Sequence, residues 1–145
     1  DDWVAGAAFM CRVDGWQKVG FFDPVFFLYF EEVELMSRIG RAGWQIKTVP
    51  EARVVHVAGA ATDMVGGQSR AGAVPDYWFD SWRFFFVRRH GRLGALGIAC
   101  ARLTGLAIDW VVSKLARRPR RTPVQFFASF RRRVLIPLLK GSADG

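Results

Sequence analysis

The sequence predicts an α/β segment over residues 1–75 and a helical region over residues 76–145. Three observations carry this division. Short β-rich runs flank one helical pattern in the first half, whereas the second half shows long helical, aromatic-rich stretches. Charge divides at the same place: residues 1–75 hold 7 basic and 9 acidic side chains, and residues 76–145 hold 14 basic and 4 acidic. With 51% hydrophobic and 14% aromatic residues among 145, the chain is too apolar to be disordered and long enough for one modest core.

Residues 3–13 are mostly apolar and include Gly6, Ala7 and Ala8, which suits a buried strand closely approached by another backbone or a ligand. Asp14 is placed as N-cap of a short helix ending near Gly20. Phe21-Phe22-Asp23-Pro24 reads as a turn, Pro24 favouring an extended Asp23. A helix is expected from Leu28 to Gly43, with Gly43 at its C′ position. Residues 44–49 alternate as a strand, Pro50-Glu51 turns, and 53–57 forms a second short β-run. The glycine-rich stretch 58–75 is a long loop, the kind that is usually functional.

From Asp76 an aromatic helical stretch runs to His90-Gly91, and an apolar one follows from Leu93 to Leu115. The basic linker Arg117-Arg118-Pro119-Arg120-Arg121 leads to a last segment, Val124 to Lys140. Cys11 and Cys100 are too few and too far apart for a disulfide framework or a zinc site, which fits a reduced cytosolic setting. No basic n-region followed by an apolar run opens the chain, so no signal peptide is expected. Lacking an initiator Met, the chain is expected to begin inside a longer protein.

The most informative residue is Glu32. At about 100° per residue, Leu28, Leu35, Met36 and Ile39 fall within roughly 60° of it on the helical wheel. Glu31, Glu34, Arg38 and Arg41 gather opposite, where Glu34 and Arg38 make an i,i+4 pair and solvent accounts for Glu31 and Glu34. A carboxylate on an apolar face loses hydration, which disfavours its charged form, while the helix N-terminus favours it. A group so balanced is ionised near neutrality yet basic enough to take a proton. The alternative is a buried Glu32 satisfied by backbone donors or by Arg12 or Arg53.

The run Phe26-Phe27-Leu28-Tyr29-Phe30-Glu31-Glu32-Val33-Glu34-Leu35, then Arg38, Arg41-Ala42-Gly43-Trp44 and Val49-Pro50-Glu51-Ala52-Arg53-Val54-Val55-His56, resembles the family 2 glycosyltransferases. Within them it is most similar to the bacterial rhamnosyltransferase-like branch. Gly6-Ala7-Ala8-Phe9-Met10-Cys11-Arg12 and Val19-Gly20-Phe21-Phe22-Asp23 resemble the same proteins, so the likeness covers residues 3–57 and, more loosely, Trp82 to Gly91. It implies a partial GT-A (Rossmann-like) domain and inverting transfer from a nucleotide-diphosphate sugar to a saccharide or polyprenyl-linked acceptor. It implies Glu32 as the base, at a place where the family more often has the shorter Asp. Glu31, Gly6, Trp44 and Arg70 are the substrate-binding positions it suggests, Arg70 as an anion contact for the diphosphate. His56 becomes a candidate ligand of a divalent metal, Mg²⁺ or Mn²⁺, or a donor to a phosphate oxygen.

The sequence contains no Asp-x-Asp metal element and no GxGxxG. With about three strands in reach, residues 1–75 are expected to be the acceptor-side, C-terminal part of such a domain, inactive alone. Residues 76–145 are expected to be amphipathic helices on an anionic membrane surface, peripheral on the cytoplasmic side of a bacterial inner membrane. Arg102, Asp109 and Ser113 lie within about 40° as a narrow polar stripe. No run reaches the ~18 uncharged residues of a membrane span. Arg117–Arg121 and Arg131–Arg133 would attract anionic lipid. Long aliphatic runs among the aromatics argue against nucleic acid. The competing readings are a helical hairpin with merely solvated arginines, and a non-catalytic membrane- or partner-binding module.

Overall fold

Residues 2–56, 64–65, 68–69, 73–118, 122–123 and 125–141 are described by the computed structural model, in which the chain divides into two units, 1–58 and 59–145. In the first unit, helix α1 (Val13–Val19) is followed by α2 (Glu31–Arg41). Arg12, not Asp14, is the N-cap of α1. Asp14 sits in the first turn, where its carboxylate accepts from Gly15 N at 3.0 Å and pairs with Arg12 at 2.7 Å. The turn before α2 forms as expected, with Asp23 Oδ1 accepting from Val25 N at 2.9 Å.

Helix α2 begins three residues later than the wheel assumed. Tyr29 (φ 67°) and Phe30 (φ 68°) precede it, both in the left-handed region that L side chains seldom enter. Leu35, Met36 and Ile39 are buried, which bears out the apolar face. At the other end Gly43 takes φ 87°. Trp44 N donates to Ile39 O at 3.2 Å and Gly43 N to Gly40 O at 3.0 Å, so the helix closes in a Schellman motif around that glycine.

The strands expected at 3–13, 44–49 and 53–57 do not form among the described residues, Val57 lying outside them. Residues 6–8 turn, α1 starts at Val13, and 44–49 and 52–56 run without regular strand structure. A strand exists by pairing with a neighbour, and alternation alone does not supply one. Val54 and Val55 are 63% and 93% exposed, so this run buries nothing. Among the described residues the paired strands are β1 (Met64–Val65) and β2 (Gln68–Ser69), an antiparallel ribbon in the second unit.

The second unit is a helical assembly built on α3 (Asp76–Leu115), which is broken at Gly91 (φ 69°, ψ 173°). That backbone region is open essentially to glycine alone, so the break falls at the expected place for a physical reason. The two arms, 76–90 and 92–115, fold back on each other: the Arg102 guanidinium lies 5.7 Å from the Trp78 ring centre. A second helical stretch is continuous through α4 (Phe126–Phe130), a π-helical turn (Arg131–Leu135) and α5 (Ile136–Lys140). Phe126 and Phe130 meet Phe79 at 5.3 and 6.2 Å, and Trp82 meets Phe130 at 5.5 Å, forming the aromatic core. Arg92 donates to the carbonyls of Leu138 and Leu139, satisfying the C-terminal end of α5.

Candidate active site

Glu31 and Glu32 stand in the first turn of α2, delivered there by the left-handed pair Tyr29-Phe30. Residues 4–6 run beside that helix. Val4 N lies 3.1 Å from Met36 Sδ, and one helical turn away Gly6 abuts Glu32. A Cβ at Gly6 would sit 3.2 Å from both Cβ and Cγ of Glu32 and 3.4 Å from Cδ, closer than ordinary contact. Gly6 is therefore a positioning residue for the Glu32 side chain. The close approach expected of this glycine is found, with a carboxylate side chain as the approaching group.

Oε2 of Glu32 is buried and accepts no hydrogen bond among the described residues, and the same holds for Oε2 of Glu31. A buried oxygen left unpaired costs roughly 1–3 kcal/mol, so two at adjacent residues are groups able to accept from a hydroxyl or water. Of the two arginines that could have satisfied Glu32, Arg12 pairs with Asp14, and Arg53 is exposed. Glu31 corrects the wheel, which assigned it to solvent. Once the helix starts at Glu31, the preceding turn and not the periodicity sets its surroundings. Burial raises the Glu31 carboxyl above the ordinary glutamate value, Glu32's charge adds to this, and Glu31's own backbone N–H opposes it.

Glu34 is not a solvated residue either. Its side chain is 12% exposed, and Oε2 accepts from Arg38 Nη2 at 2.8 Å. Arg38 also donates to the carbonyls of Val19, Gly20 and Phe21, tying the end of α1 and the following turn to α2. Sequence reading found the i,i+4 pair but not this clamp, because carbonyls 17 to 19 residues away carry no compositional signal.

Of the other predicted site residues, Trp44 follows the C-terminal end of α2, away from the glutamates of its first turn. Trp44 lies against α1, where a Cβ at Gly15 would be 3.2 Å from its ring, and Arg12 covers the ring at 5.2 Å. Trp44 is thus a packing residue of the first unit. His56 is exposed on the irregular segment 52–56. Among the described residues no three His, Cys, Asp or Glu side chains converge to hold a metal ion. Arg70 lies outside the described residues.

No family model matches the chain, and no solved structure matches it. Over 54 residues, 37% of this chain, it is 41% identical to an N-acetylglucosaminyl-diphospho-decaprenol L-rhamnosyltransferase of Mycobacterium tuberculosis, of which that stretch is 18%. Over 57 residues, 39% of the chain, it is 33% identical to Rhamnosyltransferase WbbL of Escherichia coli K12, of which 22% is covered. The matched stretch thus spans about a fifth of the length of these relatives. Over that part the chain is related to glycosyltransferases.

Proposed function

We propose that the chain contributes the acceptor side of an inverting glycosyltransferase of the family 2, GT-A kind, with Glu32 as general base. The observation that supports this reading most is the buried, unpartnered Oε2 of Glu32, held against Gly6 at the start of α2. A hydroxyl of the acceptor donates to that oxygen. As the acceptor oxygen attacks the anomeric carbon of a nucleotide-diphosphate sugar, Glu32 takes its proton and the bond from carbon to diphosphate oxygen breaks. One glycosidic bond forms, the nucleoside diphosphate leaves with the electron pair, and the anomeric configuration inverts. Glu31, with its raised carboxyl, holds a second acceptor hydroxyl through its own unpaired oxygen.

The names of the relatives make a nucleotide-diphosphate rhamnose the first donor to test, and an N-acetylglucosaminyl-diphospho-polyprenol the first acceptor. No described residue is assigned to the nucleotide. The described residues do not assemble a divalent-metal site around His56, so no step here runs through a metal. A lipid-linked acceptor requires the enzyme at a membrane, on the cytoplasmic side where nucleotide sugars are made, and the cationic second unit is the attachment. The test is transfer from labelled donor to lipid-linked acceptor by the enzyme containing this chain, with product anomer read by NMR. Inverted product, lost in Glu32→Gln, supports the proposal; retained configuration or undiminished transfer overturns it.

A further inference from the structure

In the 92–115 arm of α3 only small side chains are buried, and the large apolar ones face outward, the reverse of a soluble helix. Ala95, Ala99 and Ser113 are buried on one face. Arg102, on that side of the wheel, reaches the rings of Trp78 and Phe126 at 5.7 and 5.4 Å, and Asp109 lines an open groove of about 560 Å³ with Phe126 and Phe127. The narrow polar stripe thus lies on the side of the unit's own helices, with Arg102 and Asp109 still exposed and Ser113 buried. On the opposite face Leu93, Ile108, Val111, Val112 and Leu115 are 83%, 59%, 46%, 51% and 80% exposed. Cys100, Ala101 and Thr104 lie exposed between them, and along about 33 Å of helix the charge bordering this face is Lys114, whose ammonium lies over the Trp110 ring at 5.4 Å.

We infer that this outer strip is a lipid-contact surface that lies in the plane of an anionic bilayer. The inference deepens, and rests on, the membrane attachment proposed above. Charge complementarity selects the occupant. The strip runs directly into exposed Arg117 and Arg118, the sequence continues with Arg120 and Arg121, and residues 76–145 carry ten more basic than acidic side chains. A nucleic acid offers phosphates, which an uncharged strip cannot bind. By length and composition the helix is long and apolar enough to cross a membrane. Its packing partners decide against crossing. The 76–90 arm and the 126–140 stretch lie alongside it and bring Asp76, Asp80, Arg132 and Arg133 with them, and a crossing would carry those charges into hydrocarbon. In-plane, they stay on the water side while the strip alone is immersed.

Flotation of the full chain with phosphatidylcholine vesicles, with and without phosphatidylglycerol and at two salt concentrations, tests this. The chain should float with the anionic vesicles, less so at high salt. Ile108→Asp with Val112→Asp, both outward-facing, should lower partitioning by about tenfold or more. An environment-sensitive dye on Cys100 in a Cys11→Ser chain should shift to the blue and escape an aqueous quencher, whereas a dye on Arg131→Cys in a chain lacking both native cysteines should not. Undiminished flotation of the double variant, or a Cys100 dye still open to the quencher on bound vesicles, overturns the inference. So does a variant that loses a dimer and not vesicle binding. Transfer to a short, water-soluble acceptor separates the two proposals: the double variant retains it, and Glu32→Gln loses transfer but keeps flotation.

Discussion

Gly6→Ala isolates the positioning of Glu32 from its chemistry. The new Cβ would meet Glu32 Cβ and Cγ at 3.2 Å, where ordinary contact begins near 3.4 Å. The Glu32 side chain must therefore give by a few tenths of an ångström, and its carboxylate moves with it. Misplacing a reacting group by about 1 Å costs on the order of a hundredfold in rate, so this shift should lower kcat by about three- to tenfold. Gly6 has no left-handed backbone to lose and its surroundings are exposed, so stability should change by under about 1 kcal/mol. Steady-state transfer with labelled donor, alongside a thermal melt, reads both. Gly40→Ala is the control, since nothing lies within 4 Å of its Cβ position. A Gly6→Ala enzyme that melts normally and turns over within twofold of the parent would refute the claim that this glycine seats Glu32.

Glu31→Gln should stabilise the first unit by up to about 1 kcal/mol at neutral pH, measured by denaturant unfolding, because it removes a partly buried charge with an unpaired oxygen. The Glu31 carboxyl is raised, so its stability contribution is present below the unfolded value near 4.3 and is lost as pH rises through the folded one. Asp76 behaves oppositely: burial alone would raise it, but Arg133 and Arg132 at 2.9 Å hold it below the ordinary value. Its contribution is complete above about pH 4 and lost as pH falls through the folded value, and Asp76→Asn should cost about 0.5–1 kcal/mol in the second unit by the same assay. Gly91→Ala should cost about 1–3 kcal/mol, read as a lowered melting midpoint, since φ 69° with ψ 173° is closed to a side chain.

Elements whose signal is local were legible in the sequence. The buried face of α2, its glycine C′ position, the break at Gly91 and the last helical segment all follow from spacing and from residues with one conformational use. Features set by partners were not. Alternation at 53–57 marks a run that favours extension, but strand status depends on a neighbour that no described residue provides. The wheel found the Arg102–Asp109–Ser113 stripe and could not say that Ser113 is buried or that Arg102 reaches the rings of Trp78 and Phe126. The same limit applied at the candidate site. Glu32 was found from its place among apolar residues, while Glu31 was misread because two aromatic residues in the left-handed region, Tyr29 and Phe30, reset where the helix begins.

The most direct measurement is kcat for two isosteric variants, Glu32→Gln and Glu31→Gln, under saturating donor and acceptor. With Glu32 taking the proton, the first variant should lose about 10²- to 10⁴-fold and the second less than about tenfold. The reverse order, or a Glu32→Gln enzyme that keeps most of its turnover, would contradict the assignment of Glu32 as the base.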